Sequence, residues 1–321
     1  MKKLTLALAA IAAAFTATSA KADVSASGSA NVAYLSTAGT GSNDEELAVG
    51  TTVDFALSTT TATGMTISAG ASISQDYDAN TGVGGDGGNA VTFGVGGATI
   101  VVGDVEISDT IGAVGGVVNG PLDDASDLDT SVANGFHDDD GLGAELTTAV
   151  GSASLNISYV TNTQADNYGV VNSSASGDDA AMSASISMPM GDYTFTIGVA
   201  DSDSGESSSG AEVSAAIGGG TLKLGYSNQT LTANHADLTT AGDTQVVGAT
   251  YSMSLDADTT IAVGYTGRKD SDSQSDTKTE LSIERALGGG ASVYLDLVNL
   301  TGDTASNADG SAIAFGTSVA F

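Results

Sequence analysis

A chain of 321 residues carries 39 acidic side chains against 8 basic ones, a formal charge of −31, with 41% apolar residues and no cysteine. That field repels nucleic acid and anionic solutes and attracts cations, and the absence of cysteine excludes a disulfide-stapled fold. Acidity of this size also suits a solubilised exported surface, but not disorder, which needs low hydrophobicity as well.

At the N-terminus, Lys2 and Lys3 precede an apolar run from Leu4 to Ala17 and a small-residue pattern at Ala20-Lys21-Ala22. This is the layout of a secretory leader over residues 1–22, with the mature chain starting at Asp23. A spanning helix needs about 20 apolar residues, and the run is shorter. Losing the leader removes Lys2, Lys3 and Lys21 and no acid, which makes the remainder still more negative. There is no second long apolar run, so a helical membrane protein is excluded.

From Asp23 onward the dominant period is two, the signature of strands whose two faces meet different surroundings. Val24, Ala26, Gly28, Ala30, Val32 and Tyr34 alternate with Ser25, Ser27, Ser29 and Asn31. The pattern repeats in Leu47 to Leu57 and in Met65 to Ile73, then in Ala90 to Gly96, Ala98 to Gly103, Leu142 to Ala149 and Ala153 to Thr161. It continues through Ala181 to Met188, Tyr193 to Ala200, Gly210 to Ile217, Thr221 to Ser227 and Thr244 to Met253. Thr259 to Thr266, Thr277 to Ala286, Ala291 to Val298 and Ser311 to Phe321 bring the total to sixteen strands.

The connections alternate in length. Short turns such as Gly96-Gly97, Gly218-Gly219-Gly220 and Leu287 to Gly290 join one end, where Gly, Pro, Asn and Asp favour tight reversals. Long polar segments join the other: Asp76 to Asn89, Asn162 to Asp178, Asn228 to Asp243, Gly267 to Asp276 and Leu300 to Gly310. A soluble β-solenoid would also alternate, but it needs a bulky core, and the face opposite the apolar one is Ser, Thr, Gly and Ala. An apolar exterior around a wet interior fits better, as in a transmembrane antiparallel β-barrel with an even strand number. With the first strand running outward, Tyr34, Tyr159, Tyr226 and Tyr265 fall at outer strand ends and Phe55, Tyr193, Tyr251 and Phe321 at inner ones, as interfacial belts do. Arg285 shares their parity near an inner end, where its stem can snorkel.

The longest interruption runs from Asp104 to Gly141 and holds many acids but no Lys or Arg. Pro121 and the glycines at 112, 115, 116 and 120 allow it to turn sharply in a confined space.

These features resemble the alphaproteobacterial, Rhodobacter-type general porins of the Gram-negative outer membrane, over nearly the whole mature chain. The resemblance is carried by the Thr63-Gly64-Met65 hairpin, by Gly103-Asp104-Val105-Glu106 leading into the acidic segment, by Leu287-Gly288-Gly289-Gly290-Ala291-Ser292, and by the closing Ala314-Phe315-Gly316-Thr317-Ser318-Val319-Ala320-Phe321. It implies a single 16-stranded barrel over residues 23–321, a third outer loop folded inward as a constriction over 104–141, and a homotrimer. It also implies an outer-membrane setting among lipid and lipopolysaccharide, and a C-terminal Phe321 read by the outer-membrane assembly machinery. The chain departs from the family in offering little cluster of wall Arg and Lys opposite the loop.

Asp123, Asp124, Asp127 and Asp129, with Asp104 and Glu106 at the entry, are the candidate constriction residues, because acidic rings favour cations. A solvated outer loop with no pore role is the competing reading. By parity the lumen wall would carry Asp54, Glu145, Glu212, Glu280, Glu284 and Asp296 against Lys223 and Lys278, with Arg268 and Lys269 left in an outer loop. Calcium is a candidate ligand at Asp201 and Asp203 with Glu206, or at Asp138, Asp139 and Asp140. Neither run completes the twelve-residue pattern, which favours solvated charge. Gly84-Gly85-Asp86-Gly87-Gly88 is one calcium-nonapeptide-like stretch, where such motifs work as arrays. His137 and His235 stand in polar loops, so no catalytic centre and no other cofactor is expected. The function so read is passive diffusion of small hydrophilic solutes with cation preference. A calcium-dependent secreted or surface-attached structural protein of adhesin or surface-layer type is the alternative, and a substrate-specific barrel a third possibility.

Overall fold

The computed structural model describes residues 22–39, 44–75, 90–105, 117–118, 141–160, 180–203, 205, 207–231, 242–270, 275–302 and 310–321. They form sixteen strands: β1 (Ala22–Gly39), β2 (Asp44–Thr60), β3 (Thr66–Gln75), β4 (Val91–Val95), β5 (Ala98–Val105), β6 (Gly141–Val150), β7 (Ala153–Val160) and β8 (Ala181–Met190). The second half is β9 (Tyr193–Ser202), β10 (Ser207–Ile217), β11 (Gly220–Leu231), β12 (Gly242–Ser254), β13 (Thr259–Asp270), β14 (Ser275–Gly288), β15 (Ala291–Gly302) and β16 (Gly310–Ala320). Each pairs antiparallel with its chain neighbours, and β1 pairs with β16 to close the barrel. Closure leaves no edge, so every ladder donor and acceptor finds a partner without water, the condition for crossing hydrocarbon with strands. No helix among the described residues is long and apolar enough to span a membrane, a fact that bears on helices alone.

The register fixes which residues share a face. Outward stand Val32, Val49, Phe55, Leu57, Ile197, Val199, Leu224, Val263 and Phe315, all large and exposed. In water such a surface would be an aggregation liability; against lipid it is the stable arrangement. Tyr34, Tyr159, Tyr226 and Tyr265 lie on this face toward the long-connection ends, and Phe55, Tyr193, Tyr251 and Phe321 toward the short-turn ends. Arg285 is exposed and bonds back to the turn between β12 and β13, reaching Asp256 at 3.3 Å and the Thr259 hydroxyl at 2.6 Å.

The C-terminus completes the closure. Phe321 and Gly28 exchange backbone hydrogen bonds of 2.9 Å in both directions. The Phe321 ring lies over Gly28, where a Cβ would come within 2.7 Å of Cε2, so this glycine makes room for the terminal ring.

Two sequence expectations need correction. The acidic interruption is shorter than Asp104 to Gly141, because Asp104 and Val105 belong to β5 and pair with Leu142 and Gly141 of β6. Arg268 and Lys269 are not in an outer loop: β13 runs to Asp270 and β14 starts at Ser275, so the expected long connection from Gly267 to Asp276 is strand on both sides. The ladder's hydrogen bonds close whether or not the outward side chains remain apolar, so strands outlast the hydrophobic alternation that revealed them. β1, at 18 residues, is about 60 Å long at roughly 3.3 Å per residue and outruns a ~30 Å hydrocarbon core even when tilted.

Candidate functional site

Along β13 to β16 and β1 the inner face is a built surface. Glu280 of β14 stands opposite Gly264 on β13 and Val298 on β15. Its Oε1 lies 3.2 Å from the Lys278 ammonium, and both side chains are 2% exposed. Its Oε2 accepts a hydrogen bond of 3.2 Å from the backbone N–H of Val117, 163 residues earlier in the chain. Val118 is buried in one apolar cluster with Ala33, Leu35, Tyr294, Val298, Ala312 and Ala314. Burying one valine in this way is worth about 1.5–3 kcal/mol.

Small residues make the approach possible. A Cβ on Gly264 would sit 2.8 Å from Glu280 Oε2 and 3.3 Å from Val117 Cγ2. On β16, Ala312 and Ala314 leave the space that Val118 occupies, and the Tyr294 ring covers Gly316.

The same side of the barrel gathers buried charge. Arg268 is 7% exposed and pairs in register with Asp276, itself 1% exposed. Asp296 is fully buried, opposite Ser282 and Ala314. The sequence does not mark Arg268 and Asp276 as inner-face residues, because the hydrophobic alternation ends at Thr266 and resumes at Thr277. Carrying the alternation one period further from Gly264 and Thr266 would have found Arg268. Tyr294 and Gln229, also buried on the inner face, carried no signal beyond their parity.

The other charged residues of the inner face are less enclosed. Asp54 is half-buried and accepts a 2.6 Å bond from the Ser72 hydroxyl across β2 and β3. Glu145 is half-buried and accepts from Asn156 at 2.9 Å and Thr147 at 3.1 Å. Glu212 and Glu284 are half-buried and Lys223 is exposed, opposite Ser214 and Thr250. At the long-connection ends of β5 to β9, Val105, Val160, Ala181 and Ala200 form a second buried cluster, among which Ser158, Ser183 and Ser202 are also buried.

Of the remaining candidates, Glu106, Asp123, Asp124, Asp127, Asp129, Asp138, Asp139 and Asp140 lie outside the described residues, as do the leader through Lys21, Gly84 to Gly88, Glu206, His137 and His235; Asp104 is described only through its backbone. Asp201 ends up exposed in β9, and Asp203 is exposed beyond it, its N–H bonded to the Ala180 carbonyl at 2.9 Å. Among the described residues no group of three or more His, Asp or Glu is placed to hold a metal ion.

A family model for Gram-negative porins matches residues 7–305. No protein of curated function matches the chain in sequence. Among solved structures, the anion-selective porin of Comamonas acidovorans is similar at a TM-score of 0.67 and 12% identity, over 94% of this chain and 100% of that one. Salmonella typhi OmpF, in complex with daunomycin, is similar at 0.71 and 12% identity over 93% and 97%. A mutant of the Rh. blastica porin is similar at 0.61 and 15% identity over 93% and 100%. At such identities the likeness concerns the fold.

Proposed function

The chain belongs to the Gram-negative porin family and is an outer-membrane channel protein; from that premise we propose a passive, water-filled route for small hydrophilic solutes that prefers cations and is narrowed by the 106–140 segment folding into the barrel. The observation that carries this reading is the seating of Val117 and Val118 on the inner wall, through Glu280 and the apolar cluster around Val298. That contact supports an inward path for the segment.

The cation preference rests on the charges that water reaches. Asp54, Glu145, Glu212 and Glu284 outnumber Lys223 there, and the buried cations Arg268 and Lys278 stand beside buried acids. The Comamonas porin, anion-selective on a similar barrel, indicates that the fold leaves the sign to the lining charges. Asp123, Asp124, Asp127 and Asp129, with Glu106 at the start of the segment, add to the negative side as its narrowest ring; Asp104 drops out of this set, because it is part of β5 and one step out of register with the inner-face Val105. Reversal potentials across a salt gradient in planar bilayers test the preference, and an anion-selective result sinks it. Neutralising Asp123, Asp124, Asp127 and Asp129 together should shift the reversal potential toward zero; no shift would remove these acids from the constriction.

The rest of the reading follows the family. The leader through Ala22 directs export and is cleaved, and Phe321 marks the chain for the outer-membrane assembly machinery. The aromatic rows meet lipid on one side and lipopolysaccharide on the other. Three copies assemble, as in the trimer form of Vibrio cholerae OmpT, 11% identical to this chain; heat-resistant oligomers in detergent test this. Calcium at Asp201 and Asp203 or at Asp138 and Asp140 is open to titration of the folded barrel. No observation favours the calcium-dependent surface-structural alternative.

A further inference from the structure

We infer that the lipid-facing side of β14, β15, β16 and β1 holds a groove for an acyl chain of an outer-leaflet lipid, met at its polar end by Asn299 and Ser311. The site lies on the side of the wall turned away from the channel.

The register sets it out as two rows. Thr279, Asn299 and Ser311 stand side by side, and Leu281, Leu297 and Ile313 form the row beneath them, toward the short turns. All six have the parity of the lipid-facing residues and surround a hollow of about 510 Å³. Glu280, Val298 and Ala312 line it as well; their side chains point inward, so the floor is the sheet itself. The hollow exists because Ser36, Ala38 and Ser311 are small, whereas Tyr34 and Phe315, paired in the next row down, project at 44% and 60% exposure. Its size falls within the range of ligand clefts, roughly 300–1,000 Å³.

Polarity, charge and height select the occupant. The lower row is aliphatic and the upper row is polar, which matches a chain whose first carbons carry an ester, amide or hydroxyl group. The Thr279 hydroxyl is turned to the Asn299 carbonyl at 3.5 Å, leaving the Asn299 carboxamide and the Ser311 hydroxyl to meet that group. None of the six is charged, so the hollow takes the neutral part of the lipid. Lys269, exposed on the outer face of β13 further toward the long connections, stands where an anionic headgroup would lie. Tyr265 pairs with Thr279 on one side of the patch and Tyr34 with Phe315 on the other, while β14 and β15 present no aromatic on this face. Aromatic rows mark the level where chains meet headgroups, so the gap between these two places the groove at the acyl linkages. A second barrel would meet Tyr34 and Phe315 before reaching the floor; a slender chain would not.

The chain has no tryptophan, so Phe315→Trp puts a single reporter at the rim of the groove and Tyr226→Trp one on the aromatic row of β11. In vesicles of phosphatidylcholine with brominated acyl chains, both are quenched. Unbrominated lipid A, the acylated anchor of lipopolysaccharide, should relieve the quenching of Phe315→Trp at a mole fraction roughly fivefold lower than for Tyr226→Trp, the worth of about one net hydrogen bond. Adding Ser311→Phe or Asn299→Leu should erase that difference. Equal relief at the two reporters overturns the proposal, and this comparison holds even if Ser311→Phe does not fold, because each reporter exchanges one exposed aromatic for another. Native mass spectrometry of the full chain reconstituted with lipid A gives the second reading. Ser311→Phe should lower the bound lipid and leave the oligomer intact; loss of oligomers with the lipid retained would make the patch a contact between copies and overturn the proposal.

Discussion

Two stretches of the inner wall carry similar residues and are used differently. On β2, β6, β10 and β11, Asp54, Glu145, Glu212 and Lys223 stand apart and reach water. On β13 to β15, Arg268, Asp276, Lys278, Glu280 and Asp296 crowd together and are buried. Charge on the first stretch acts through the solution, on ions within a Debye length of about 8–10 Å. Charge on the second acts through fixed contacts and costs several kcal/mol of desolvation per ion unless each partner stays in place. The lesson is that counting lumen acids misleads unless each is weighed by its access to water.

The sharpest way to break this comparison is to remove one lysine from each stretch. Lys278→Met leaves Glu280 buried without its counter-ion and should cost about 3–5 kcal/mol, read from the denaturant midpoint of the refolded barrel. Lys223→Met, at an exposed site, should stay within about 0.5 kcal/mol. Equal effects would mean that the two stretches do not differ. Gly264→Val comes next. Crowding at Val117 and Glu280 should cost about 1–3 kcal/mol and raise single-channel conductance as the inward segment is displaced; an unchanged channel would show that the close approach has no role in the passage.

The open stretch has its own signature. Neutralising Asp54, Glu145 and Glu212 together should move the reversal potential toward zero with little change in the denaturant midpoint. Asp296→Asn should do the reverse, and a selectivity change from Asp296→Asn alone would blur the division. The smallest effect belongs to the turn outside both stretches. The Asp258 N–H and the Thr259 hydroxyl, and to a lesser degree Arg285, hold the Asp256 carboxyl below its ordinary range. Since the folded value lies below the unfolded one, the contribution is present above about pH 4 and fades as the pH falls further. Asp256→Asn should therefore lower the midpoint slightly at neutral pH, leave it unchanged well below pH 4, and so flatten its acid dependence slightly.

The register also explains which parts of the site were legible. Glu280 and Lys278 were placed on the inner face by parity, because side-chain direction in a strand is a local property. Their pairing with each other, two residues apart on one strand, was within reach of the same argument. Arg268 was lost to a strand boundary, the point where hydrophobic alternation stops but ladder bonding continues. Val117 and Val118 could not have been singled out, since two valines in a glycine-rich segment carry no mark of the wall they rest on.

By itself the sequence determined the sixteen strands, their order, their lipid-facing side and the asymmetry of their connections, because a two-residue period and glycine-rich turns are set by short-range sterics and solvation. Only the tertiary structure decided which inner charges stay wet and which are sealed, and where Val117 and Val118 rest. Burial inside a barrel depends on contacts between residues far apart in the chain. The Val117 N–H on Glu280 is one such contact: no period in either strand or segment encodes it, and closing the sheet brings it about.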